Sequence, residues 1–169
     1  MGSHVSVVPN HQLNRKTPLH TRANVAYFGT FGYELDLNKL SYEEISEVKQ
    51  QIAFMKEYRE LIQFGTFYRL KSPFEGNETA WMTVSEDKKT ALVFWYRERN
   101  VVNADFTRVR LQGLDPDFIY RNEYNETENY GDELMNLGLL TTDCTAGEPT
   151  SEDEPCTDYE SRIYVLTAK

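Results

Sequence analysis

The clearest periodic pattern of apolar residues lies in the stretch SYEEISEVKQQIAFMKEYRELIQFG, from Ser41 to Gly65. Apolar side chains recur there at the spacing of one helix face, and charged side chains occupy the opposite face. The apolar positions are Ile45, Val48, Ile52, Met55 and Ile62, and the charged ones are Glu43, Glu47, Lys49 and Lys56. Ser41 and Glu44 have the spacing of a capping box, and Gly65 is typical of a left-handed helix end. The pattern predicts an amphipathic helix that begins after Ser41 and stops at Gly65.

Upstream of this helix, short apolar runs alternate with a helical pattern. The β-branched run at residues 5–8 ends at Pro9 and predicts a buried strand. We expect a helix from near Pro18 and a second strand at residues 33–37. Strand, helix, strand, helix is the order of a βα-repeat fold with a parallel sheet. Only two such units fit in residues 1–65, too few to bury a parallel sheet on both faces, so this zone resembles part of something longer.

Residues 66–169 show short β-type runs separated by turns. The stretch TAWMTVSEDKKTALVFWYR predicts a hairpin, with strands at residues 81–84 and 91–96 around a polar turn. The second run is apolar at successive positions, which indicates a central strand covered on both faces. Further strands are expected in FTRVRLQGL, FIYRNEY, ELMNLGL and SRIYVLTA. This spacing favours an antiparallel β-sandwich of Greek-key type.

Composition and charge argue against some classes of binding partner for this chain. The chain has 169 residues, 40% hydrophobic and 13% aromatic, which is enough for one ordinary domain or two small units. The net charge of -9, with 18 scattered Lys and Arg residues, argues against nucleic acid. No apolar run approaches the roughly 20 residues that span a bilayer, and no secretion signal opens the chain. We therefore expect a cytoplasmic protein with no nucleic-acid partner and no membrane association.

The cysteines and histidines do not have the spacing of a metal or redox site. Cys144 and Cys156 lie in the acidic stretch DCTAGEPTSEDEPC, which is neither a CxxC motif nor a set of four zinc ligands. Free thiols are favoured over a disulfide in a reducing compartment. The three histidines, His4, His11 and His20, are spread along the first zone. We expect no metal and no cofactor.

Glu34 and Asp36 are the most suggestive pair of carboxylates. Two residues apart on a predicted strand, they would share one face of it. Retaining glycosidases hold two carboxyl groups about 5–5.5 Å apart and inverting ones about 6.5–9.5 Å apart, with the sugar between them. Neighbours on one strand flank a sugar poorly, so the pair is weak as a catalytic pair. No catalytic residue is assigned to this chain.

Several long stretches carry a resemblance to a known family. They are MGSHVSVVPNHQ, TPLHTRANVAYFGTFGYELDLNKLS, LIQFGTFYRLKSPFEGNETAWM and GDELMNLGL. Together they resemble the C-terminal part of bacterial α-galactosidases of glycoside hydrolase family 36. The resemblance implies that residues 1–65 are the last βα units of a (β/α)₈ barrel and that residues 66–169 are the family's antiparallel C-terminal β-domain. It also implies that MGSH is native sequence internal to a longer enzyme, although by itself it could be a vector remnant.

The resemblance also implies which catalytic groups are absent from the chain. Members of the family retain the anomeric configuration with one aspartate as nucleophile, in a Lys-Trp-Asp context, and another as acid/base. Both motifs lie upstream of the matching stretches, and Lys-Trp-Asp does not occur in this sequence. The expected parent enzyme cleaves terminal α-galactosyl residues of oligosaccharides such as melibiose and raffinose without a cofactor. A homo-oligomer such as a tetramer is expected for the parent, and the 169-residue chain alone should be inactive.

Asn10 and His11 are the candidate substrate-binding residues. They follow the predicted strand at residues 5–8, and loops after strand C-termini build the active site of such barrels. The alternative is that Asn10 caps a turn and that His11 is a surface or packing residue. A second polar group, Glu75, Asn77 and Glu78 near Trp81, could also bind sugar, but a turn that feeds a buried tryptophan is favoured there.

Two functions therefore stand side by side. The first is the C-terminal part of an α-galactosidase. The second is a stand-alone carbohydrate-binding or structural β-module with a vestigial barrel remnant. Continuation of the reading frame upstream into a Lys-Trp-Asp motif would favour the first.

Overall fold

The structure, a computed structural model, describes residues 2–101, 106–141 and 158–169. Its contacts divide the chain into two units, Met1–Gln63 and Phe64–Lys169. Cys144 and Cys156 lie outside the described residues. No helix within the described ranges has the length and apolar character needed to cross a membrane.

The first unit has the element order β1 (Val5–Ser6), α1 (Leu19–Ala26), β2 (Tyr33–Glu34) and α2 (Tyr42–Phe64). The two strands pair in parallel, with Val5 opposite Tyr33, and α1 connects them. This is the predicted order, but β2 is shorter than residues 33–37. Asp36 does not extend the strand, because its carboxylate accepts a hydrogen bond from the Asn38 backbone N–H at 3.0 Å and caps a 3₁₀ helix at Leu37–Lys39.

Helix α2 begins with the predicted capping box. The Ser41 hydroxyl accepts from the Glu44 backbone N–H at 3.2 Å, and the Glu44 carboxylate accepts from the Ser41 backbone N–H at 2.8 Å. Of the predicted apolar face, Val48 and Met55 are buried, together with the polar Gln51. The other predicted positions, Ile45, Ile52 and Ile62, are half-buried. The prediction of a left-handed Gly65 is wrong, because the described glycines with positive φ are Gly113 and Gly138.

The second unit is built on a six-stranded antiparallel sheet, as its short β-type runs predicted. Its strands are β3 (Thr66–Lys71), β4 (Glu78–Val84), β5 (Thr90–Arg97), β7 (Ile119–Asn122), β8 (Glu128–Tyr130) and β10 (Glu160–Ala168). They lie in the order β3-β4-β5-β10-β7-β8, so β10 hydrogen-bonds to β5 on one side and to β7 on the other. Strand β5 is central, and residues 91–95 are buried in succession, as its continuous apolar run predicted.

One face of this sheet packs against a smaller layer. That layer contains β6 (Arg108–Val109), β9 (Leu139–Leu140) and α3 (Gly131–Asn136), and β6 pairs with β9 in antiparallel register. Met82, Val93, Trp95, Tyr120 and Leu166 of the sheet share one core cluster with Val109, Leu111, Leu134 and Leu139 of the layer. Burial of these side chains is the main contribution to the stability of the second unit.

The prediction of a strand in ELMNLGL is wrong for its first part, which belongs to helix α3, whereas its last residue, Leu139, begins β9. Asp132 and Glu133 occupy the first turn, where carboxylates favour the positive end of the helix dipole. Gly138, at φ +94°, lies just beyond the last turn, and its N–H donates to the Glu133 carbonyl oxygen at 3.2 Å. An acidic first turn and a left-handed glycine are helix signals, and they outweigh the apolar alternation of so short a run.

Candidate functional site

The loop after β1 contains Asn10 and His11. The Asn10 side-chain oxygen accepts from the Gln12 and Leu13 backbone N–H groups, both at 3.0 Å. Its backbone N–H donates to the Arg15 carbonyl oxygen at 2.8 Å. Asn10 thus stabilises the turn, which is the alternative role given for it in the sequence analysis. His11 is exposed beside it. Contact of either residue with a substrate stays a prediction.

Arg22 of α1 fixes this loop to the end of β1. Its guanidinium donates to the Ser6 carbonyl oxygen at 2.5 Å and to the Thr17 carbonyl oxygen at 3.0 Å. Partial burial lowers the pKa of Arg22, while Glu44 and Glu47 act in the opposite direction. These bonds hold both ends of the segment that carries His11, so its position is defined by α1 and β1.

The carboxylates of Glu34 and Asp36 do not form a catalytic pair. Glu34 contacts the His4 imidazole, with 2.6 Å between Oε2 and Nε2, and its side chain is exposed. Asp36 caps the 3₁₀ helix and lies outside β2. Because the two residues are not on one strand, the expectation of a shared face is wrong.

A partly buried polar cluster joins β2 to α2. The Tyr33 hydroxyl donates to the Gln51 side-chain oxygen at 2.8 Å, and the Gln51 amide donates to Glu47 at 2.7 Å. The Tyr27 hydroxyl donates to the Gln51 backbone oxygen at 3.3 Å. Burial, with a smaller contribution from Glu47, raises the pKa of Tyr33 to about 12, and burial also raises the pKa of Tyr27. Both hydroxyls serve as hydrogen-bond donors, and the raised pKa values keep them protonated to a higher pH than an exposed tyrosine.

The second unit has an open cleft of about 530 Å³ where β3, β4 and β5 meet the following loops. Lys71 at the end of β3 forms an ion pair with Glu78 at the start of β4. Glu78 also accepts from the Thr107 hydroxyl at 2.9 Å, and Thr107 contacts the Thr141 hydroxyl at 3.0 Å. The cleft is therefore lined by polar groups that already hold one another in place.

The loop between β3 and β4 is fixed to the end of β5 by Asn77. Its side chain accepts from the Arg99 backbone N–H at 2.9 Å and donates to the Arg99 carbonyl oxygen at 2.5 Å. The polar side chain of Asn77 is thus engaged with the backbone, as the turn interpretation predicted. Trp81 is half-buried, not fully buried, and its ring stacks on Phe94 with centroids 6.3 Å apart.

Arg97 forms the inner wall of the cleft. In the sheet it lies opposite Glu78 on β4 and opposite Glu160 on β10. Its guanidinium pairs with Glu160, which also accepts from Arg162 at 2.6 Å. Both guanidinium groups lie over the Trp95 ring, with 5.4 Å from Arg97 and 5.8 Å from Arg162 to the ring centre. Sequence reasoning missed this arrangement because Arg97 and Glu160 are 63 residues apart.

We find no set of metal ligands in the part of the chain that the structure describes. No group of three or more His, Cys, Asp or Glu side chains there could hold a metal ion.

Two family models match the chain, one on each part. The model described as Glycosyl hydrolase family 36 C-terminal domain matches residues 78–166, and the model described as Melibiase matches residues 1–65. The Melibiase match includes Asn10 and His11, and the C-terminal domain match includes Arg97 and Glu160.

The chain is similar in sequence to proteins named α-galactosidases. It is 53% identical over 139 residues to Alpha-galactosidase AgaA of Geobacillus stearothermophilus, a match that covers 82% of this chain and 19% of that protein. It is 44% identical over 166 residues to Alpha-galactosidase 1 of Pediococcus pentosaceus, which covers 98% of this chain and 21% of that protein. The chain thus spans about a fifth of the length of these relatives.

Solved structures match the chain over its whole length. The crystal structure of the α-galactosidase AgaA from Geobacillus stearothermophilus matches with a TM-score of 0.89 and 46% identity, over 100% of this chain and 22% of that one. An AgaA variant solved in complex with raffinose matches with the same TM-score, identity and coverage. The fold of the described residues therefore recurs within a larger protein.

Proposed function

The chain belongs to glycosyl hydrolase family 36, and on that premise we propose that it is the C-terminal part of a retaining α-galactosidase. The whole enzyme hydrolyses terminal α-galactosyl residues of oligosaccharides such as melibiose and raffinose. The observation that carries this proposal is the match of a solved α-galactosidase to the entire chain, with a TM-score of 0.89 and 46% identity. The raffinose complex of an AgaA variant supports the same class of substrate.

In this proposal the first unit supplies the final βα units of a (β/α)₈ barrel. The parallel pairing of β1 with β2, joined through α1, supports it, since this is the repeating unit of such barrels. The second unit is the family's C-terminal β-sandwich, which the large antiparallel sheet and its second layer support.

The chain contributes structure and loop residues to the enzyme rather than its catalytic carboxylates. The two aspartates of the family belong to motifs that this sequence does not contain, and the Glu34 and Asp36 carboxylates are engaged in local contacts. His11 and Asn10 lie after the carboxyl end of β1, the end of barrel strands where active-site loops gather. We place both residues at the substrate-facing side of the barrel, with Asn10 holding the turn that presents His11.

The whole protein is also proposed to be a cytoplasmic homo-oligomer, such as a tetramer, that works without a cofactor. The resemblance to the family supports this assembly. Light scattering of the purified whole protein measures its mass directly, and cell fractionation followed by an activity assay locates it.

The test compares two proteins on a nitrophenyl α-galactoside, namely the whole product of the reading frame and the 169-residue chain. The whole protein should release nitrophenol, and the chain alone should not. Nucleophile and proton donor act as a unit in such enzymes, so their joint absence leaves no partial activity.

Two results would contradict the proposal. An inactive but folded whole protein would favour the stand-alone β-module. The 169-residue chain could also prove active, with activity that follows the protein through purification and disappears in Glu34→Gln or Asp36→Asn. That result would mean that the catalytic residues lie in the chain itself.

A further inference from the structure

We propose that the cleft of the second unit is a binding site for a small, neutral, polyhydroxylated molecule, a sugar of one or two rings. Its volume of about 530 Å³ lies within the roughly 300–1,000 Å³ of small-molecule sites. This site is additional to the hydrolytic function proposed above, and its test does not depend on catalysis.

The charges of the cleft favour an uncharged ligand. Its two cationic residues each have a carboxylate partner, Glu78 for Lys71 and Glu160 for Arg97. The exposed Glu75 adds a further negative group to the rim. Glu75 and Glu78 would therefore repel an anion. Lys71 and Arg97 would likewise repel a cation. A neutral molecule avoids both repulsions.

The hydrogen-bonding groups of the cleft favour hydroxyls. The Arg97 side chain is only 7% exposed, and its Nε–H is a buried donor without a partner among the residues described. Such donors are rare because leaving one unpaired costs free energy. The Lys71 ammonium has three N–H groups, and Glu78 accepts from it. The Arg97 Nε–H lies below the cleft surface, so the Lys71 ammonium, whose side chain is 31% exposed, is the donor that a ligand can reach. Because a hydroxyl both accepts and donates, a polyol can serve this ammonium and the Glu75 carboxylate at once.

Apolar groups complete the wall of the cleft. Leu70 is half-buried, and Val101 is exposed at the rim. Aliphatic side chains of this kind suit the C–H faces of a sugar ring, which are as apolar as its hydroxyl edges are polar. Polar donors on one side and aliphatic groups on another are the common composition of small-molecule pockets.

A glycine in the lining allows the site to be filled without disturbing the sheet. A Cβ atom on Gly76 would meet no heavy atom within 4 Å, and Gly76 is not among the glycines with positive φ. Gly76→Phe should therefore place a ring at the cleft at little cost to folding. Gly32→Phe is the matched control, since Gly32 also has nothing within 4 Å and lies in the first unit.

The experiment is a titration of the full 169-residue chain with galactose, melibiose and raffinose, and with galacturonate as the anionic comparison. Calorimetry gives the affinity, and amide NMR shifts at Ser72, Gly76 and Thr107 give the location. We expect saturable binding of a neutral sugar with a dissociation constant of about 1 mM or tighter, at least about tenfold weaker in Gly76→Phe and unchanged in Gly32→Phe. Circular dichroism of both variants verifies that they are folded.

Three results of the titration of the unchanged chain would overturn the proposal. They are no saturation by any neutral sugar, shifts confined to residues outside the cleft, and galacturonate binding as tightly as the neutral sugars. Equal binding by folded Gly76→Phe and the unchanged chain would also overturn it. None of these results bears on whether the whole protein hydrolyses an α-galactoside, so the two proposals fail independently.

Discussion

Glu160 and Arg97 face each other across β10 and β5, and the same carboxylate also accepts from Arg162. The side chains of the two arginines are largely buried, so Glu160 is the counter-charge that makes two buried cations tolerable. It also holds both guanidinium groups over Trp95. The pair therefore links the middle strands of the sheet to the wall of the cleft.

Glu160→Gln should lower the free energy of unfolding by about 3–5 kcal/mol, because it leaves buried guanidinium groups without a carboxylate. Urea denaturation followed by tryptophan fluorescence measures the change. Glu128→Gln is the matched control, since Glu128 pairs with Lys169 at the surface, and it should cost no more than about 1 kcal/mol. Equal effects of the two variants would mean that burial adds nothing to the Glu160 pair.

Trp95→Ala should lower the free energy of unfolding by about 3–5 kcal/mol through lost burial and a cavity in the core. Trp95 is 1% exposed and belongs to the main core cluster. Phe74→Ala removes a ring that is 94% exposed and should be close to neutral. Thermal unfolding of both variants measures the difference, and a stable Trp95→Ala protein would contradict the assigned core.

Gly131→Ala should destabilise the second unit by about 1–3 kcal/mol or more, since a well-packed site has no room for an added carbon. A Cβ atom there would lie 1.9 Å from the Asp115 carbonyl oxygen, a backbone atom that cannot turn aside. Gly76→Ala, where the same atom meets nothing within 4 Å, is the control and should leave the protein as stable as before or slightly more so. Chemical denaturation of the two variants decides whether α3 packs this closely.

Alkaline pH should destabilise the first unit through Tyr33. Its pKa is raised to about 12 in the folded protein from 10.0, so the folded state holds the proton more tightly than the unfolded chain. The contribution is therefore complete below pH 10 and is lost as the pH rises towards about 12. Tyr33→Phe should lose less stability over this range than the unchanged chain, and Tyr42→Phe, at an 84% exposed position, should not differ from it. Circular dichroism during alkaline denaturation measures this, and identical curves would refute the assignment.

His11→Ala in the whole enzyme should lower kcat/KM at least about tenfold if the residue contacts substrate, because one lost contact of about 1.4 kcal/mol has that effect. The variant should unfold at the same temperature, since His11 is exposed. His20→Ala, an exposed residue on α1, is the control. Unchanged kinetics would return His11 to the alternative role of a surface residue.

The sequence alone predicted those elements that are determined by residues close together in the chain. The capping box of Ser41 and Glu44 and the continuous apolar run of β5 depend on neighbours in the chain, and both appear as predicted. Helix α3 was missed because a six-residue helix offers too few positions to separate helical from strand periodicity. Its acidic first turn and Gly138 were the signals that could have identified it.

The cleft could not be predicted from the sequence because its parts are far apart along the chain. Thr107 meets Thr141 across 34 residues, and Arg97 meets Glu160 across 63. Gln51 shows the same limit in α2, where a polar residue is buried because Tyr33 supplies a donor from another element. Such pairs follow from the order of the strands, which local patterns leave open.

Because β10 lies between β5 and β7, the sheet can be completed only after this last strand has been synthesised. The strands β3, β4 and β5 can pair as soon as they have been made, and so can β7 and β8, but in the described sheet the backbone hydrogen bonds that join the two groups run through residues 160–168. Until that segment leaves the ribosome, the edges of β5 and β7 are open to other chains, as unpaired strand edges invite aggregation. A premature stop before β10 would therefore leave the strand edges of β5 and β7 unpaired, and such a product is a substrate for chaperones and proteases.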